Sequence, residues 1–169
     1  MYAIKMSRRV SEVIALEPEP RTYSLLCRNI LINSVSDKVI ALPIAASDRD
    51  GYRDLCVTAE TGGHILEDLR ECMRKIKVVS LKVDTLLKKL NIDKVDVVKI
   101  GAEGHEDKVV AGMFELLNQS PPRILVVEIR RKNLNLLDYF TSIGYKITLL
   151  DCWLSSTNYG FYLVKRCYP

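Results

Sequence analysis

Five short apolar runs, separated by stretches of helical periodicity, constrain this chain more than anything else in it. They are "VSEVIALEP" (10–18), "KVIALPIAA" (38–46), "VDVVKI" (95–100), "PPRILVVEIR" (121–130) and "YKITLL" (145–150). A run that is apolar on both faces and rich in Val and Ile suits a strand buried in a parallel sheet, where helices cover both sides. Between the first two runs, Tyr23, Leu26, Cys27, Ile30 and Leu31 recur at helical spacing over 20–33, and Pro20 suits a first turn. Helices are also expected over 85–92 with Asp84 as the cap, from about 105 to 118, and over 133–142 with Gly144 closing the last. Residues 2–9 read as the tail of a helix, 53–58 and 76–81 as short strands around a polar loop at 60–64, and 160–166 as a terminal strand. Strands alternating with helices predict a layered α/β fold, with 1–169 as a single domain.

Composition narrows the class. With 48% hydrophobic and 27% charged residues, the chain suits a folded protein with a substantial core. A net charge of +4 is mild, so no nucleic-acid partner is expected. No apolar run is long enough to span a bilayer and the start has no signal-peptide core, so the expectation is a cytoplasmic protein with no membrane partner. The five cysteines form no C-x-x-C pair; most are expected to be reduced packing residues, with one disulfide open to an unusual compartment or a thermophile. "HEDKVV" lacks the second His of a zinc-helix motif, so no metal is expected and His105 and Glu106 read as a solvated helix start.

In open α/β sheets ligands bind beyond the carboxyl ends of the strands. Glu17, Ala46, Ser47, Asp48, Gly101, Ala102, Glu103 and Glu128 all fall at such ends. Small residues at 101 and 102 let a ligand approach the backbone, and Gly104 permits the turn into the next helix.

Several of these ends together resemble the FkbM-type family of S-adenosylmethionine-dependent methyltransferases. "VIALEPEPRTYSLLCRNILIN" is similar to the family's Glu-Pro strand end and its helix with two Asn residues four apart, here Asn29 and Asn33. "IAASDRDG" resembles its Ala-x-Ser-Asp-x-x-Gly turn, and "VDTLL" with "VKIGAEGHE" resembles its Asp-x-Leu-Leu helix and Lys-Ile-Asp-x-Glu-Gly-x-Glu signature. The resemblance covers roughly 10–166 and implies a three-layer, Rossmann-like methyltransferase sheet, mostly parallel with an antiparallel C-terminal strand. It implies S-adenosylmethionine as cofactor, Glu17 on the ribose hydroxyls, Ala46, Ser47 and Asp48 near the adenine, Gly101 near the methyl-donating end, and Glu103, then His105, as base or acceptor-orienting group. The acceptor would be a small molecule or glycan, bordered by 59–72 and by 151–159 with Trp153 and Tyr159.

Two departures accompany the resemblance. Gly101 stands where the family usually has Asp, and no glycine precedes Gly51, so the family's Gly-rich cofactor turn is not matched ahead of Val10. The expectation is an N-terminally incomplete domain missing its first strand, normally between 10–17 and 95–100, with a homo-oligomer closing the gap and weak cofactor binding. Two functions follow: O-methylation by a methyltransferase, or a catalytically inactive remnant used for binding or assembly.

Overall fold

The computed structural model describes residues 2–7, 10–58, 65–66, 72–152 and 159–166. Contacts gather the chain into two units, 1–46 with 51–80, and 47–50 with 81–169.

In the first unit, α1 (Tyr2–Ser7) lies against β1 (Val13–Leu16), which pairs in parallel with β2 (Val39–Leu42). Between them, α2 (Pro20–Ile32) starts with Pro20 in its first turn as expected, and the Glu19 carboxylate caps it by accepting from the Thr22 amide at 2.6 Å. The run 38–46, expected as one strand, is two. Pro43 has no N–H for a ladder, and beyond it β3 (Ile44–Ala46) joins a different sheet. That sheet has the order β3-β6-β4-β5, with β4 (Gly51–Val57) antiparallel to β5 (Ile65–Leu66) and to β6 (Arg74–Leu81). Ala45, Leu55 and Val78 form its buried centre. Cys56 on β4 and Cys72 ahead of β6 form a disulfide, the one such pair among the described residues, while Cys27 is free. The one disulfide that the sequence reading left open is this pair, which antiparallel pairing brings within 5.2 Å at Cα. The expected loop at 60–64 lies outside the described residues.

The second unit carries α3 (Val83–Leu90), β7 (Val97–Ile100), α4 (Glu106–Ala111), α5 (Phe114–Gln119), β8 (Ile124–Arg130), a 3₁₀ turn (Arg131–Asn133), α6 (Asn135–Ser142), β9 (Tyr145–Cys152) and β10 (Tyr159–Arg166). Its sheet runs β7-β8-β10-β9, with β7 parallel to β8 and β10 antiparallel to both neighbours. The six residues 153–158 are too few for the dozen or so of a parallel crossover, so β10 returns antiparallel beside β9. The antiparallel C-terminal strand is therefore as expected, and β1 with β2 and β7 with β8 pair in parallel. The described strands form three sheets, not one continuous sheet. Leu125 and Val127 on one face of β8 are fully buried with Met113, Phe140 and Val164.

Two expected helix features change. Asp84 does not cap α3; it lies within the first turn, and its carboxylate accepts from the Glu115 and Leu116 amides at 2.8 and 3.0 Å, capping α5 instead. Asp50 takes over at α3, accepting from the Lys82 amide at 2.8 Å and the Thr85 hydroxyl at 2.9 Å. Those bonds, led by the Lys82 amide, hold the Asp50 carboxyl below its usual range. The helix expected over 105–118 is broken at Gly112 and Met113 into α4 and α5. Among the described residues no helix is long and apolar enough to cross a membrane.

Candidate functional site

The turn beyond β7 is built by one buried side chain. Glu106, fully buried at the start of α4, reaches back so that Oε1 accepts from the Ala102 and Gly104 amides at 3.2 and 2.8 Å. Its Oε2 accepts from the Asn133 side-chain amide at 2.9 Å. This arrangement holds Glu103 at φ 51° and Gly104 at φ 96°, two left-handed residues in succession. Gly104 is there by necessity: besides its φ, a Cβ would meet Lys132 at 3.0 Å and Arg130 at 3.2 Å. Glu103 is held in a conformation that a non-glycine residue adopts at a cost of order 1 kcal/mol, which the surrounding bonds must offset. Its carboxylate forms an ion pair with Arg130, the last residue of β8.

Beside it, Glu128 projects from β8 and is buried. Burial first, and then the nearby Glu103 carboxylate, push its carboxyl above the usual range. Gly101 is exposed and has no positive φ. A Cβ there would run into the amino end of Lys99 and lie 3.3 Å from Glu128 Oε2, so Lys99 folds forward along the strand to fill that space. The Lys99 ammonium group therefore occupies the space beside Gly101.

Ser47 and His105 form the other buried pair. Ser47 Oγ lies 2.8 Å from His105 Nε2 and 3.2 Å from Asp48 Oδ1, and both Ser47 and His105 are buried. A hydroxyl has one proton; if it goes to Asp48, Nε2 carries the hydrogen that bonds Ser47. Asp48 also faces Lys108 at 3.6 Å. The solvated helix start expected at His105 and Glu106 is thus corrected: both are buried and tie loop segments together.

In the first unit, Glu17 follows the end of β1, and its Oε1 accepts from the Glu19 amide at 3.0 Å, fixing the carboxylate at the strand end. Ala46 ends β3. In the second unit, Ser47, Asp48 and His105 form one group with Lys108, Gly101 lies beside Lys99 and Glu128, Glu103 pairs with Arg130, and Glu106 ties the turn to Asn133. Of Lys99, Glu128, Arg130 and Asn133, Lys99 belonged to the quoted signature and Glu128 stood out by its strand-end position. Arg130 and Asn133 gave no local signal, because their roles depend on how β8 aligns with β7. Tyr159 begins β10, while 59–64, 67–71 and Trp153 lie outside the described residues. Among the described residues no group of His, Cys, Asp and Glu is placed to hold a metal ion.

The exposed position at 101 has a testable consequence. Because φ is ordinary and the obstruction is the far end of a flexible lysine, Gly101→Asp is expected to fold with a stability change within about 1 kcal/mol. Chemical denaturation of the variant checks it; a loss several times larger would mean that Lys99 cannot move aside.

A family model described as the methyltransferase FkbM domain matches residues 1–147. Among solved structures, the chain is similar in fold to the crystal structure of methyltransferase FkbM from Methylobacillus flagellatus KT, with a TM-score of 0.57 and 15% identity. The match covers 90% of this chain and 36% of that one, so this chain spans about a third of its length. No curated protein matches the sequence.

Proposed function

The chain belongs to the FkbM methyltransferase family, and from that premise we propose that it is an S-adenosylmethionine-dependent methyltransferase acting on an oxygen nucleophile of a small molecule or glycan. When bound, S-adenosylmethionine supplies a methyl group activated by a positively charged sulfur. Glu17 suits the ribose, since a carboxylate held at a strand end accepts from hydroxyl donors without a proton of its own. The 46–48 segment would serve the adenine through its backbone, because the Ser47 hydroxyl is engaged with His105 and Asp48. In this reading the parallel pairs β1–β2 and β7–β8 each present ligand-facing residues beyond their carboxyl ends, as in a Rossmann-like fold.

The single observation that carries the proposal is the rigid turn held by Glu106, which fixes Glu103 against Arg130 beside the buried Glu128. Methyl transfer asks a protein to align the acceptor, exclude water and receive a proton. Glu103, with its Arg130 partner, orients an acceptor hydroxyl. Glu128, whose carboxyl is pushed upward, suits receipt of that hydroxyl's proton. His105 acts through Ser47 and keeps the 101–105 turn in place.

A second reading has its own observation. Lys99 puts an ammonium in the space beside Gly101, where the family signature has a carboxylate, and this favours a catalytically inactive member used for binding or assembly, including self-assembly. Calorimetry with S-adenosylmethionine and S-adenosylhomocysteine separates the two. The methyltransferase reading expects Glu17→Ala to keep its fold and lose about 1.5–3 kcal/mol of binding, roughly 10- to 150-fold. Equal affinity in the variant would return Glu17 to the role of a turn residue, and no binding by either protein would favour the inactive member.

A further inference from the structure

At the opposite end of the second unit's sheet from the turn beyond β7, the β9–β10 ladder places like charges face to face. Lys146 and Lys165 are direct cross-strand partners, and Thr148 and Leu163 are the next pair on the same face. With Arg166 they line a recess of about 320 Å³, within the range of small-molecule pockets. Lys146, Thr148 and Lys165 are exposed, and Leu163 is half-buried. Among the described residues none of the three cations forms an ion pair. Asp96, ahead of β7 at the same end of the sheet, is shared instead by Lys94 at 3.4 Å and Arg123 at 3.6 Å.

Like charges directly opposite in a ladder destabilise it. Neither lysine supplies a sheet-forming preference or buried packing that would account for its position. A ligand of opposite charge reverses the sign of the effect, and charge-assisted donors favour tetrahedral oxyanions. We propose that this recess binds a phosphate or sulfate group of a small molecule, with Lys146, Lys165 and Arg166 providing charge, Thr148 a hydroxyl donor and Leu163 an apolar floor. The proposal is independent of the methyltransferase reading, since it uses no residue of the turn beyond β7.

Titration of the ¹⁵N-labelled protein with inorganic phosphate and with glycerol 3-phosphate, at constant ionic strength set with chloride, tests it. The expected result is saturable shifts at the amides of 145–148 and 163–166 with a dissociation constant of about 1 mM or tighter. The Lys146→Thr/Lys165→Thr double variant should bind at least about tenfold more weakly, which corresponds to 1.4 kcal/mol. It should also melt higher than the parent in chloride alone, and phosphate should raise the parent's melting temperature more than the variant's. Tighter binding of glycerol 3-phosphate than of phosphate would identify an ester as the ligand. Shifts that grow linearly without saturating, or that saturate equally in the double variant, would overturn the site. Binding only to phosphatidic acid vesicles, with neither soluble probe, would overturn it as well.

Discussion

Glu106→Ala is expected to lower the unfolding free energy by about 3–5 kcal/mol, from stranded buried donors at roughly 1–3 kcal/mol each with some relief from entering water. The Ala102 and Gly104 amides and the Asn133 side chain all lose the acceptor they share. Glu106→Gln keeps a carbonyl oxygen but turns an amide nitrogen toward one donor, so a loss of about 1–2 kcal/mol is expected. Denaturant titration of the two variants measures the difference. The ordering Ala worse than Gln worse than parent is required, because a residue that only favoured the start of α4 by its charge would cost less than about 1 kcal/mol on removal.

Gly112→Ala should also be costly, and here the sign is informative. Gly112 has φ −77°, which any residue adopts, so on backbone grounds alanine would stabilise by about 0.4–1 kcal/mol. Its Cβ, however, would collide with the Ser47 carbonyl oxygen and approach the Ser47 carbonyl carbon to 3.0 Å. Both are backbone atoms that cannot swing aside, and Asp84 N–H already donates to the Gly112 carbonyl at 3.0 Å. A loss of about 3 kcal/mol is expected, at the upper end of overpacking costs. A neutral or stabilising result in a melt would mean that the 47–50 segment does not pack on the α4–α5 break. Gly101 provides the contrast, since the atom in its way is the tip of a lysine.

Gly104 and Gly112 mark what could be read in advance and what could not. Gly104 was legible because a left-handed turn between strand and helix is a local demand, and its φ of 96° meets it. Pro20 in the first turn of α2 and Gly144 at φ 89° after α6 were legible for the same reason. Pro43 carries the same kind of local signal: an imino acid inside an apolar run marks where one ladder ends. The break at Gly112 was not legible, because its cause is a carbonyl 65 positions earlier in the chain. Asp84 looked like the cap of the helix it begins, yet its acceptors serve amides about thirty residues on, which sequence spacing does not reveal. His105 and Glu106 follow the same rule. Charged or polar residues before a helix read as solvated, and only the alignment of β7 with β8 puts Asn133 against one and the 47–50 segment puts Ser47 against the other. The rim of strand ends was thus visible in the sequence, whereas the partners that give each residue its task were not.

The central claim is that the turn beyond β7 is where an S-adenosyl ligand and its acceptor meet this chain. Titrating S-adenosylhomocysteine into the ¹⁵N-labelled protein and following each backbone amide tests it most directly, since weak binding still moves resonances and location matters more than affinity. The account predicts saturable shifts at 101–106. Shifts that never saturate, or that saturate elsewhere while 101–106 stay fixed, would contradict it.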